Sequence, residues 1–347
     1  MDNADLSPRA ERRKARSRTA AGGWPPSTGS GQALDKLGVT SVEFAALAAA
    51  VDDERVRLGS SGPRVRAEAR RLVLEEIWCS ARLAGSGLEL DEVVSLVERG
   101  IAAGERRLED YVLVADYAAA AQFAAEAALP GRKQSYLRLE EVVQLHALAA
   151  RREPAAHPGA WRSTTVAAFP SGMVAPPAWL VPRQMNAFVE RVASGPPPQT
   201  HPLLWVADAH ERFSRIHPFA KANGRVARLL ANLLLRRVEL PPFAVRGRTA
   251  ERYLAALRRA DSRDPWPLAT VLARAVLASL RRLVAASEGP AELLPLAAFA
   301  AGAARARLYK AAQRGRLRSV RRGGQLLTSA PWIAEYEASR VSRRSAR

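Results

Sequence analysis

The run HPFAKANGRVAR, His217 to Arg228, concentrates residue types that can handle a phosphate. Pro218 disfavours helical backbone in its predecessor, which places His217 on a loop. Asn223 stands where an N-cap belongs, ahead of Gly224 and a helix whose Val226, Leu229, Leu230 and Leu233 face inward. A loop running into a helix N-terminus offers free backbone N–H groups and a positive dipole end, the two ingredients of an anion site. Arg225 and Arg228, three residues apart, share a face and both reach that site. An imidazole with a pKa of about 6.5 beside such a cradle is equipped to deprotonate a hydroxyl. The chemistry expected is attack of a hydroxyl on a bound phosphate.

Two helices must position this run. Leu203, Val206, His210, Phe213 and Ile216 form a stripe leading into it, and Val226, Leu229, Leu230, Leu233 and Leu234 form one leaving it. A third periodic stretch covers residues 251–286. Between Pro154 and Pro182 the period breaks, and the β-prone TTVAAF beside a Pro/Gly turn predicts a short hairpin or flap. From Thr40 to about residue 150, Phe44, Leu47, Val51, Leu72, Ile77, Val93, Val94, Leu96 and Val97 predict several helices.

Composition bounds the remainder. The chain has 347 residues and a formal net charge of +19, and only five of its 53 cationic residues are lysines. That much arginine calls for an anionic partner. At 48% hydrophobic and 25% charged residues the chain has the composition of an ordinary folded protein. Its single cysteine, Cys79, excludes an intramolecular disulfide and leaves no thiol spacing for structural zinc, so a reducing cytoplasm is the expected compartment. No run of about 18 apolar residues and no apolar segment after the basic N-terminus occurs, so neither a membrane span nor a secretory signal is expected. The expected organisation is a disordered basic arm (1–36), an N-terminal helical region (37–150), a core with flap and HPF motif (151–288), and a basic module (289–347).

The central run resembles the motif of the Fic (Fido) family, H-P-F-x-D/E-G-N-G-R-x-x-R. Seven of the nine fixed positions match: His217, Pro218, Phe219, Asn223, Gly224, Arg225 and Arg228. PGAWRSTTVAAF (158–169) is similar to the family's segment leading into its target-docking flap, and the likeness extends over about residues 70 to 285. The resemblance implies a mainly α fold, a helical bundle with a small β-hairpin flap. It also implies transfer of a nucleoside monophosphate, usually AMP from ATP, to a Ser, Thr or Tyr hydroxyl of a protein. His217 would then be the general base, with Phe219, Lys221, Ala222, Asn223, Gly224, Arg225 and Arg228 lining the nucleotide phosphates. Asn223 and Gly224 would hold the phosphate nearest the attack, and the two arginines the outer ones.

Two positions depart from the pattern. The acid that helps hold magnesium is Lys221 here, and an ammonium repels a cation instead of ligating it. At about 4 Å the exchange reverses an interaction of roughly 4 kcal/mol at an effective dielectric near 20. Magnesium-dependent transfer is therefore doubtful. Either Lys221 touches phosphate in the metal's place, or the domain binds a nucleotide without reacting and serves a DNA-binding regulator. Next to Lys221, the pattern's glycine is Ala222. The stretch EEIWCSARLAGSGLELDEV resembles the segment carrying the family's inhibitory pattern S/T-x-x-x-E-G/N. It sets Ser80, Ala84 and Gly85 on that pattern, so the inhibitory glutamate is replaced by Ala84 and Arg228 lacks that partner.

Residues 291–347 hold twelve Arg/Lys against three acids. They predict a helix at Leu293–Ala301, a second over 303–314 closed by Gly315, a hairpin turning at Arg321–Gly324, and a final helix. Arg307, Lys310 and Arg314 share one face of the second helix while Leu308 and Ala312 face inward, as in a recognition helix. The segment is similar to excisionase-like winged helices, which implies DNA as a partner, with Arg321 and Arg322 on the wing near phosphate.

Overall fold

In the computed structural model, residues 41–58, 62–129, 135–166, 175–247, 249–260, 264–288, 293–334 and 336–337 are described. The basic arm (1–36) and the tip of the expected flap (167–174) lie outside them.

Among the described residues ten α-helices come first: α1 Ser41–Leu58, α2 Pro63–Leu83, α3 Leu90–Arg99, α4 Leu108–Ala127, α5 Leu139–Ala149, α6 Val181–Ala193, α7 Pro202–Ile216, α8 Asn223–Arg237, α9 Thr249–Ala260 and α10 Trp266–Ser287. Their ends follow local chemistry. Pro63, Pro202 and Pro267 open α2, α7 and α10, where a missing N–H costs nothing. Glu89 and Glu92 form a reciprocal capping box at α3, which stops at left-handed Gly100 (φ 68°).

The bundle is arranged around α8. From Val226 to Leu235 every residue is buried, Arg228 and Asn232 among them, and a helix buried on all sides lies in the middle of other helices. Helices α2, α4, α5 and α7 pack against it, while α10 runs along α1, α2, α7 and α9. One apolar cluster extends from Phe44 and Val51 through Val114, Tyr117, Phe213 and Leu230 to Leu280. The interior thus continues across residue 150.

A buried ion pair fixes the far end of α8. Arg237 donates to Glu141 Oε1 and Oε2 at 2.5 and 2.9 Å and to the carbonyls of Tyr136 and Ala127 at 2.6 and 3.1 Å. Both side chains are almost completely buried. The apolar stripe predicted from Leu203 to Ile216 lies on α7 and is buried throughout. His210, within it, is an interior histidine bonded to Ala227 O (2.9 Å) and the Tyr253 hydroxyl (2.8 Å).

Among the described residues, β structure is confined to the C-terminal segment; Thr164 to Val166 are irregular. There β1 (Leu294–Pro295), α11 (Leu296–Phe299), α12 (Gly302–Gln313), β2 (Val320–Arg322) and β3 (Gln325–Thr328) follow in order. Both β1 and β2 pair antiparallel with β3, and helical residues resume at 330. The helix expected over Leu293–Ala301 is shorter, because Leu294 and Pro295 join the sheet and Ala300 is extended. On α12 it is Leu308 and Ala311 that are buried, with Ala312 half-buried, a shift of about 50° around the helix from the expected face. These residues, with Leu296 and Leu317, form a small core of their own.

Removing one member of a buried pair leaves the other charge uncompensated. Arg237→Met is expected to destabilise the bundle by about 3–5 kcal/mol, read from the urea midpoint. Burial raises the Glu141 carboxyl, but the Arg237 hydrogen bonds and charge outweigh it and hold it below its usual 4.5. A depressed folded pKa stabilises above that unfolded value and is lost as pH falls through the folded one. The wild type should therefore lose stability more steeply below about pH 4.5 than the variant.

Candidate active site at the turn between α7 and α8

The connection from α7 to α8 is short and strained. Helix α7 ends at His217, which adopts left-handed backbone (φ 49°), and α8 begins after Ala222, left-handed again (φ 62°). For residues with a Cβ this costs of the order of 1–2 kcal/mol each, so the surroundings must hold the turn in place. Phe219 is fully buried, stacked on His146 with ring centroids 3.6 Å apart and faced by Trp161 at 5.0 Å. Asn223 Oδ1 accepts from the Phe219 N–H (2.9 Å) while its Nδ2 donates to the Phe219 carbonyl (2.7 Å). Asn223 is thus the first residue of α8 and a brace across the turn. The N-cap position belongs to Ala222, which provides no side-chain bond.

Arg162 clamps the other side of the turn. Its guanidinium donates to the carbonyls of His217 (2.7 Å), Thr164 (3.1 Å), Pro176 (2.5 Å) and Ile216 (3.4 Å), and its N–H bonds Pro218 O at 2.9 Å. A buried cation placed on the last carbonyls of α7 also complements that helix's negative end. Neither Arg162 nor its role stands out in the sequence beyond the PGAWR segment.

His217 itself is half-buried, and its Nδ1 lies 3.3 Å from Ser214 O. Burial lowers its pKa below the usual histidine value, the Ser214 carbonyl opposes this, and the Arg162 charge adds to it. At neutral pH the ring is therefore uncharged and able to accept a proton.

The two arginines of the run diverge, although both lie on the first turns of α8. Arg225 donates to Ala149 O (2.7 Å) and to Glu153 Oε2 (2.5 Å). The other oxygen of Glu153 is 3.5 Å from Lys221 Nζ. Arg228 turns towards α2, donating from Nε to Ser80 Oγ (2.6 Å) and from Nη2 to Ser80 O (3.1 Å). The distance in sequence between Ser80 and Arg228 is thus closed, while Ala84 and left-handed Gly85 (φ 98°) follow the end of α2. Behind Arg228 lies buried Glu76, which accepts from the Tyr117 hydroxyl at 2.5 Å. Burial pushes its carboxyl up to about 7, against the Tyr117 hydrogen bond and the charges of Arg228 and Arg236. Gly224 is exposed beside Arg228, and a Cβ there would come 3.4 Å from Arg228 Nη1.

Residues 136–235, from just before α5 to the last turn of α8, match the model of the Fic/DOC family. The chain carries a Fic domain. It is 28% identical over 228 residues to the protein adenylyltransferase Fic of Nematostella vectensis, covering 65% of this chain and 52% of that one. To protein adenylyltransferase fic-1 of Caenorhabditis elegans it is 24% identical over 210 residues, 60% of this chain and 41% of the other. The chain thus spans about half the length of these relatives or less. Fic-1 of C. elegans superposes with a TM-score of 0.65 at 22% identity, over 72% of this chain and 74% of that chain. A Fic domain containing signaling protein from Bacteroides thetaiotaomicron gives 0.61 at 21% identity, over 71% and 97%.

Within the Fic domain the residues present do not suit a magnesium ion. Lys221 stands at the acidic position, Glu153 is already shared between two cations, and no group of three or more His, Cys, Asp or Glu able to hold a metal occurs among the described residues. Ala222 occupies a glycine position with left-handed backbone and bears its strain without a compensating bond. Ala222→Gly should therefore stabilise the protein by about 1 kcal/mol, measured as a raised urea midpoint with an unchanged slope.

Proposed function

We propose that the Fic domain transfers AMP from ATP to a Ser, Thr or Tyr hydroxyl of a protein. The observation that supports this reading is the conjunction, on one turn, of an uncharged His217 with the start of α8 and with Lys221, Arg225 and Arg228 around it. In this reading His217 takes the proton of the target hydroxyl as its oxygen attacks the α-phosphorus of ATP. The bond to the bridging oxygen breaks and pyrophosphate leaves. The backbone amides of Asn223 and Gly224, at the positive end of α8, hold the phosphate under attack. Arg225 and Arg228 turn to the outer phosphates, where charge accumulates on the leaving group. Lys221 contacts phosphate directly in place of a metal.

A second reading has its own support. Arg225 and Arg228 both have protein partners, Glu153 and Ser80, which suits a nucleotide-binding module that does not react and serves a regulator. Incubating the protein with labelled ATP decides between them. Transfer predicts label on protein, lost in His217→Ala, retained in EDTA and declining only below the usual histidine pH range, as the lowered pKa of His217 requires. Label equal in wild type and variant overturns transfer, and label abolished by EDTA overturns the role given to Lys221.

We further propose that the C-terminal module binds duplex DNA. Arg307 and Lys310 are exposed on α12, Arg314 is exposed at its C-terminal cap, and Arg321 and Arg322 are exposed on β2 of the hairpin that follows. Arg307 also pairs with Glu337 at 3.3 Å. A gel shift weakened by salt and abolished by removing residues 289–347 is expected. An unchanged shift for the truncated chain overturns the assignment.

A further inference from the structure

Glu153 follows α5 and has no counterpart in the motif, yet it stands at the centre of the cations that the proposed reaction needs. One carboxylate oxygen accepts from Arg225 at 2.5 Å, and the other lies 3.5 Å from Lys221. The Glu153 and Lys221 side chains are partly exposed, whereas Arg225 is nearly buried. The same carboxylate therefore neutralises one cation in the wall of the site and one at its mouth.

We infer that Glu153 is an internal stand-in for phosphate, a latch that competes with the nucleotide's outer phosphates for Arg225 and Lys221 and so sets the affinity for ATP. This inference rests on the reading of the turn as a nucleotide phosphate site. Three features of the geometry carry it. A carboxylate and a phosphate compete for the same guanidinium edge, since each presents anionic oxygens that accept from its fork. Arg225 does not depend on Glu153 for its position, because Ala149 O holds its Nη1 at 2.7 Å. The latch can therefore open without leaving the arginine unsupported. Glu153 is exposed enough for its side chain to swing towards solvent, where a carboxylate regains full hydration. The pattern's inhibitory glutamate position, just after α2, is Ala84, so this restraint comes from a different element and acts on the other arginine of the motif.

The latch also accounts for the lysine. With an acid at position 221, Glu153 would face a like charge and gain nothing on that side; with Lys221 it is bound from both sides. The nucleotide must displace one carboxylate to gain two cations.

The test measures binding of ATP to the full chain in EDTA, by calorimetry, for the wild type, Glu153→Gln and Glu153→Gln/Arg225→Gln. Glutamine keeps the volume and removes the charge, and circular dichroism verifies the fold of each variant. The latch predicts that Glu153→Gln binds ATP roughly five- to tenfold more tightly than wild type, and that this gain disappears in the double variant. Binding by Glu153→Gln alone, with none by wild type, equally supports the latch. Equal or weaker binding by Glu153→Gln, with wild type binding normally, overturns the latch and leaves the phosphate site intact. No binding by either protein overturns the phosphate site, and the latch with it.

Discussion

Everything distinctive about this site depends on a turn that is held in an unfavourable backbone state. Six residues join the two most buried helices of the bundle, and both the first and the last, His217 and Ala222, carry side chains in left-handed backbone. Such a turn persists only where the surroundings determine it from several directions. Here they do so from three: aromatic stacking on Phe219, the amide of Asn223 closing on that residue's backbone, and Arg162 gathering the carbonyls at the end of α7. The same restraints that offset the strain also set where the imidazole stands and which way α8 departs.

The arginines of this chain do unlike work, and burial and partners distinguish them better than charge. Arg237 is a structural bolt, satisfied on four acceptors at the buried end of α8. Arg162 is a clamp whose guanidinium gathers four backbone carbonyls. Arg225 and Arg228 are held within the turn's surroundings, the first by the Ala149 carbonyl and the partly exposed Glu153 carboxylate, the second by Ser80. Those of α12 and β2 point to solvent. A net charge of +19 conceals all of these differences.

The helices and the position of the site are legible in the sequence because they are written in local patterns. The stripes of α7 and α8 repeat at helical spacing, and Pro218 forbids the helix from running through His217. What is not legible depends on contacts between distant segments. An asparagine before a helix satisfies either a cap or a brace, and only the position of Phe219 decides for the brace. Glu153 carries no spacing signal, because its partner lies 72 residues away. Arg228 and Ser80 are 148 residues apart, and only the inhibitory pattern points to Ser80. In the C-terminal module glycine marks the turns at Gly302 and Gly315, but a two-residue strand at Leu294 is too short for any period to reveal, and it displaces the predicted helix.

The continuity of the interior across residue 150 bears on how such a domain is inherited. Residues 136–235, which carry the family likeness, share their apolar surface with Val114 and Tyr117 on α4 upstream and with Leu272 and Val276 on α10 downstream. Cut out alone, that stretch would open its core to water on two sides. The piece that could pass from one protein to another as a folded unit is therefore larger than the stretch the family model matches, and α4 and α10 must travel with the motif.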